Sequence, residues 1–165
     1  MRSFFFLSNS CWNPELHTFV IQVKVGLLEE LNPSMKTLWK IRRSDYIKFL
    51  LLSRRVTRRD FGREICGFLI DNGYYLHLWL TKNRRKTPGG FSYYTGEVNE
   101  LEKVTKRLGI EIVGTFHSHP ASEAVPGPND VKYAENDSLM LIFDCTGSEG
   151  RLWHNQRGTV SEEEN

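Results

Sequence analysis

The chain has too few cysteines for a disulfide scaffold and no apolar run long enough to cross a membrane. Its three cysteines, Cys11, Cys66 and Cys145, form no CxxC pair and cannot all pair with one another, a pattern that suits a reducing compartment. No stretch approaches the roughly 18 apolar residues of a transmembrane helix. The opening MRSFFFLSNSCW has too short an apolar segment for a signal peptide. A cytoplasmic protein with no membrane partner is expected. An excess of one charge is missing too: 22 basic and 20 acidic residues leave a net charge of +2, too small to argue for a nucleic-acid partner.

What is present is enough for one domain. A chain of 165 residues builds a single core plus an extension, not two ordinary domains. Residues 1–34 read as an N-terminal extension, with a strand expected over Phe19 to Val25 and a short helix in GLLEEL before Asn32-Pro33. Residues 35–158 read as the domain, and 159–165 as an acidic tail. Two basic clusters stand out: Arg54, Arg55, Arg58, Arg59 and Arg63, then KNRRK from Lys82 to Lys86. Such runs serve as solvated faces or as a dock for an acidic partner surface.

The domain alternates strand and helix signals. Thr37 to Ile41 reads as a strand. Ser44 is the expected N-cap of a helix carrying Tyr46, Ile47, Leu50, Leu51 and Val56 on its buried stripe and ending near Gly62. Ile65 to Ile70 and Tyr74 to Leu80 flank Asp71-Asn72-Gly73, a strong hairpin signal, with Leu76, Leu78 and Leu80 on one face. A Pro/Gly loop with Phe91, Tyr93 and Tyr94 leads to a helix from Glu97 to Leu108, closed by Gly109. Ile110 to Phe116 and Leu139 to Cys145 read as core strands, Asn129 to Glu135 as a helix, and Arg151 to His154 as a last strand. The fold class is therefore α/β (α+β), a mixed central sheet flanked by helices.

The chemistry gathers where IEIVGTF runs into His117-Ser118-His119-Pro120. Side chains two apart on a strand share a face, and paired imidazoles suit Zn²⁺. Pro120 ends the strand, which places both rings at the sheet's rim. Asp130, early in the next helix, folds back to supply a third ligand. Three protein ligands leave one position open, as catalytic zinc requires.

Glu64, Cys66-Gly67-Phe68-Leu69, His117-Ser118-His119-Pro120 and Asp130, in this order and spacing, resemble the JAMM motif of MPN-domain metalloproteases. The resemblance covers roughly residues 36 to 158. It implies a fold similar to that of cytidine deaminases, with His117, His119 and Asp130 as zinc ligands and Glu64 handling the protons of the attacking water. It also implies a ubiquitin-like or sulfur-carrier protein as substrate, cut at an amide bond by a peptidase or isopeptidase. The pattern departs at Gly127: the chain reads PGPND where the family has PSxxD. That serine is thought to steady the oxyanion, and losing one such donor costs about 10²–10³ in rate.

Two other functions compete. A non-catalytic MPN-like scaffold that keeps zinc and binds a protein is favoured by Gly127 and opposed by the intact Glu64, His117, His119 and Asp130. A deaminase on the related fold would need PCxxC, which is missing. A nuclease fits poorly with the near-neutral charge. Cys66 and Cys145, in apolar strands, are expected to be buried and inert.

Overall fold

The computed structural model describes residues 11–13, 18–22, 38–60, 62–147, 149–156 and 159–162. In chain order they form β1 (Cys11–Asn13), β2 (Thr18–Gln22), β3 (Leu38–Arg42), α1 (Arg43–Arg59), β4 (Cys66–Asp71), β5 (Leu76–Thr81), α2 (Thr95–Leu108), β6 (Glu111–His119), α3 (Pro128–Tyr133), β7 (Ser138–Asp144), β8 (Glu149–Gln156) and β9 (Thr159–Glu162). The strands make one nine-stranded sheet in the order β1-β2-β3-β5-β4-β6-β7-β8-β9. The pairs β3/β5 and β6/β7 are parallel and the other neighbours antiparallel. This is the mixed α+β sheet expected. Each parallel pair needs a crossover: α1 with β4 lies between β3 and β5 in the chain, and α3 between β6 and β7.

Alternation along β4 sends side chains to two faces. Leu69 joins Phe49 of α1, Phe116, Leu141 and Phe143 in the main core. Phe68 and Ile70 point the other way, under Leu101 of α2. A third cluster, Ala124, Met140 and Ile142, sits beneath the loop after β6. The α1 core is closed by edge-on aromatic contacts, with Phe49 and Phe116 at 5.1 Å between ring centres, a geometry the ring quadrupoles favour.

Several local expectations shift. The N-cap is Arg42, not Ser44, because β3 runs into α1 with no intervening turn. The buried stripe of α1 is Tyr46, Phe49, Leu50, Ser53 and Val56, while Ile47 and Leu51 face outward at 41% and 58% exposure. Ser53 is tolerated there because its hydroxyl donates to the Leu50 carbonyl at 2.7 Å, so the buried polar group is satisfied within the helix. On α2, Thr105 is buried and Leu108 is exposed. Leu80 is also outward, at the far end of its strand. Gly109 caps α2 in the left-handed conformation, as expected. The hairpin turn stands as well: Gly73 has φ +82°, and the Asn72 carboxamide oxygen accepts from the amides of Tyr74 and Tyr75.

At the ends, β2 (Thr18–Gln22) covers residues 19–22 of the expected strand, and residues 23–25 and the GLLEEL helix lie outside the described residues. Strand β2 pairs along β3 and so adds to the same sheet. Thr159–Glu162, read from sequence as tail, pair with β8 as β9. Among the described residues, no helix is long and apolar enough to cross a membrane.

Candidate metal centre

The face on which the histidines sit is set by an irregularity in β6. Leu69 pairs with Gly114 and Ile70 with Ile112, so Val113 is an extra residue, a β-bulge. Gly114 lies so close to β7 that a Cβ would stand 1.9 Å from the Leu139 carbonyl oxygen. Only glycine fits there. The bulge reverses the alternation, so Phe116 and Ser118 face α1, while His117 and His119 take the face that carries Phe68 and Ile70. β6 reaches through both histidines, and they are buried at 1% and 9% exposure. They stand at the end of β6, as expected, His117 paired with Cys66 of β4 and both histidines paired with β7, and they line the open cleft.

The two Nε2 atoms are 3.1 Å apart, and each lies 3.4 Å from an oxygen of Asp130. Ligands about 2.0–2.1 Å from a tetrahedral zinc stand about 3.3–3.4 Å from one another. His117 faces Oδ1 and His119 faces Oδ2, so the two rings and the carboxylate converge at about that spacing, and two imidazoles with a carboxylate are a donor set that fits zinc. The Nδ1 of His119 donates to the Glu123 carbonyl at 2.8 Å. Its Nε2 thus turns a lone pair toward the other two groups, the arrangement a metal-ligating histidine shows. His117 is held by packing instead, with the Phe91 ring at 4.8 Å between centres.

Charge is tuned accordingly. Burial opposes ionisation of Asp130, but the contacts from His117 and His119 outweigh it and hold the carboxyl well below its usual range. Burial pushes His117 below its ordinary value against the pull of Asp130. It also weighs on His119, where the Asp130 carboxylate and the Glu123 carbonyl prevail and raise it.

Glu64 joins this group through the β4–β6 ladder. Cys66 pairs with His117, the Ile65 amide donates to the Ser118 hydroxyl at 3.0 Å, and the Ser118 amide donates to the Ile65 carbonyl at 3.1 Å. One step further places Glu64 across from His119, on the same face. Burial, opposed by His119 and assisted by Asp130, pushes Glu64 up to about 7. A carboxyl so placed is poised to exchange protons near neutral pH.

Composition and motif reading missed the residues that hold this centre in shape. Buried Asn83 donates through Nδ2 to the carbonyls of Glu64 and Gly90, both at 3.1 Å, and accepts through Oδ1 from the amides of Arg85 and Ser92. It ties the Pro/Gly loop to the segment carrying Glu64. In sequence it was hidden inside the KNRRK run. Trp153 Nε1 donates to the Ala124 carbonyl at 2.8 Å, and so anchors the loop whose Glu123 orients His119. Asn155 donates to the carbonyls of Ala134 and Glu135 and ties down the exit from α3. No local pattern marks either one, since both come from β8.

The remaining features divide. Ser118 is spent within the ladder and points away from the centre. The Gly127 amide donates to Asp130 Oδ2 at 2.7 Å, so this residue positions the carboxylate without offering a hydroxyl. Ser122, exposed, lines the same open cleft as Glu64, His117, His119 and Asp130. The aromatic loop forms one wall of that cleft through Phe91 and Tyr93, with Tyr93 packed on Phe68 at 4.5 Å. Cys66 and Cys145 are buried. Burial pushes the Cys66 thiol up to about 11, which leaves it inert. His77 contacts Asn72 in the hairpin, and His154 pairs with Asp137 at 3.0 Å.

A mixed sheet that directs two histidines and an aspartate to one point, beside a buried glutamate, defines a domain built around a candidate metal site. The family model for prokaryotic homologs of the JAB domain matches residues 50–156, and the chain belongs to that family. The resemblance to JAMM/MPN proteins read from the sequence is thereby borne out. Desampylase of Pyrococcus furiosus is 25% identical over 91 residues, which are 54% of this chain and 65% of that protein. The chain therefore spans just under two thirds of that relative's length. A protein of Desulfitobacterium hafniense, known from a solution structure, is 25% identical with a TM-score of 0.57, over 71% of this chain and 86% of its own.

Proposed function

We propose that the chain is a zinc-dependent peptidase or isopeptidase that hydrolyses an amide bond at the C-terminal tail of a ubiquitin-like or sulfur-carrier protein in the cytoplasm. The observation that carries this reading is the convergence of His117, His119 and Asp130, the two Nε2 atoms 3.1 Å apart and each 3.4 Å from one of the two carboxylate oxygens, with Glu64 lining the same cleft. These three residues would hold the metal, which when bound supplies Lewis-acid polarisation of a carbonyl and acidification of water. The chain's own residues do the rest. Glu64, shielded from solvent, takes a proton from the attacking water and returns it to the leaving amine. Glu123, through His119, and Gly127, through Asp130, keep the donor atoms aimed. Phe91 and Tyr93 wall an open cleft that admits an extended tail. The name of the Pyrococcus furiosus relative supports a ubiquitin-like substrate.

Gly127 favours a second reading, a zinc-binding scaffold with little or no catalysis, because no serine hydroxyl stands beside Asp130. The deciding experiment is to incubate the protein, with zinc and with chelator, against a panel of ubiquitin-like carriers fused through their tails to a reporter. Zinc-dependent cleavage that Glu64→Gln abolishes, while the variant retains about one zinc per chain, is the expected outcome. Zinc-loaded protein that cuts none of the panel would establish the scaffold instead. Protein that refuses zinc would remove both readings.

A further inference from the structure

The two basic clusters, far apart in sequence, meet beside the cleft, which Gly62 and Arg85 line. Arg63 joins them: its guanidinium donates to the Asn83 carbonyl at 2.5 Å and to the Arg85 carbonyl at 3.3 Å. Gly62, just past the end of α1, lies against the loop as well, since a Cβ there would stand 3.6 Å from Pro88 and 3.8 Å from Pro120, the residue after His119. Arg58 and Arg59 in the last turn of α1, with Arg84, Arg85 and Lys86 in the loop, are all exposed. Segments 54–63 and 82–86 hold seven arginines and two lysines against a single acid, Asp60. Among the described residues, no ion pair is recorded for any of these cations. Arg85 lines the cleft itself and acts on Glu64 through its charge.

We propose that this cationic rim docks an acidic protein whose flexible C-terminal tail enters the cleft, so that the substrate is a strongly acidic ubiquitin-fold carrier. The proposal rests on the reading of the cleft as a tail-cutting site and adds the charge of the body attached to that tail. A rim of unpaired cations beside a cleft raises the encounter rate with an anionic partner and disfavours a cationic one. A nucleic acid is the less suitable occupant. The aromatic rings beside the rim are engaged with the protein, Phe91 on His117 and Tyr93 on Phe68, and are not free to stack on bases.

The test measures binding apart from cleavage. Zinc-loaded Glu64→Gln protein is titrated with a labelled acidic ubiquitin-fold carrier, with the same carrier after its acids are neutralised, and with a single-stranded oligonucleotide. At low salt the acidic carrier is expected to bind about tenfold or more tightly than its neutralised form, and Arg84→Glu/Lys86→Glu or Arg58→Gln/Arg59→Gln to remove most of that difference. The differences should collapse near 0.5 M salt, where screening is strong. On the active protein the same pairs should raise KM for the acidic carrier, leave kcat unchanged and leave cleavage of a short neutral tail peptide untouched. Equal binding of acidic and neutralised carriers would overturn the proposal, as would an oligonucleotide that displaces the carrier. Equal damage to carrier and peptide cleavage would overturn it too. If nothing is cleaved, the hydrolase reading fails, while the binding titration still decides the rim.

Discussion

The two halves of the candidate metal centre are built differently. His117 and His119 stand on β6 and are buried, both paired with β7 and His117 also with β4. Asp130 rides on α3, a helix of six residues with no buried side chain. The histidines keep their place because the sheet does; moving them would break the β6–β7 ladder. Asp130 keeps its place through the Gly127 amide, the two imidazoles and the ties from Trp153 and Asn155. The difference teaches that the histidine half is preformed, whereas the carboxylate half is held by the electrostatics it helps to create.

Removing the metal should expose this asymmetry most strongly. His119→Ala and Asp130→Ala should each abolish stoichiometric zinc binding, measured by metal analysis of the purified protein. In metal-free wild-type protein, hydrogen exchange should quicken at residues 127–134 and stay slow at 115–119. Equal loosening of both segments would erase the distinction between the halves. Next in size, Trp153→Phe keeps the packing but loses the donor that fixes the Ala124 carbonyl. Zinc affinity should fall about 10–100-fold, as for other groups that orient metal ligands, read by competition with a chromogenic chelator. An unchanged affinity would mean that Glu123 is held without Trp153.

Glu64 probes the preformed half. Its folded value of about 7 lies above the unfolded carboxyl value, so the metal-free native state holds its proton more tightly than the unfolded chain does. Stability is therefore fuller at acid pH and is lost as pH rises through 7. In metal-free protein, Glu64→Gln should be more stable than wild type by about 2 kcal/mol at pH 8, with the gap closing toward pH 4.5; denaturant melts at the two pH values measure it. A constant gap would show that the carboxylate is not penalised by burial. Smallest is Gly127→Ser, which restores the missing hydroxyl beside Asp130. A Cβ at this site stands 3.2 Å from Asp130 Oδ2, tight but open to a small shift. Cleavage should rise about tenfold, short of a full oxyanion donor's worth, and an unaltered rate would point to Ser122 or water in that role.

Much of this centre was legible before folding. The strand-ending HSHP and the Asp on the following helix came from spacing and the upstream Glu from the resemblance to the JAMM motif, and the structure brings all four side chains to one cleft. The supports were not legible. Asn83 looked like one polar residue in a basic run, and Trp153 like an aromatic of the last strand. Each acts on a segment distant in sequence, by a hydrogen bond that no periodicity announces.

The residue order by itself determined the type of chemistry, because two imidazoles and a carboxylate at these spacings are a donor set wherever the chain carries them. It also determined the strand and helix succession, through apolar alternation and the stops at Asn72-Gly73 and Gly109. Which face of the sheet received the histidines was decided only in three dimensions. Uninterrupted alternation would put Ile112 and His117 on opposite faces, and the bulge at Val113 joins them, with Gly114 admitting the close approach of β7. The gathering of Arg58, Arg59, Arg84, Arg85 and Lys86 into one rim was likewise a tertiary outcome, since it depends on Arg63 reaching the carbonyls of a loop about twenty residues away.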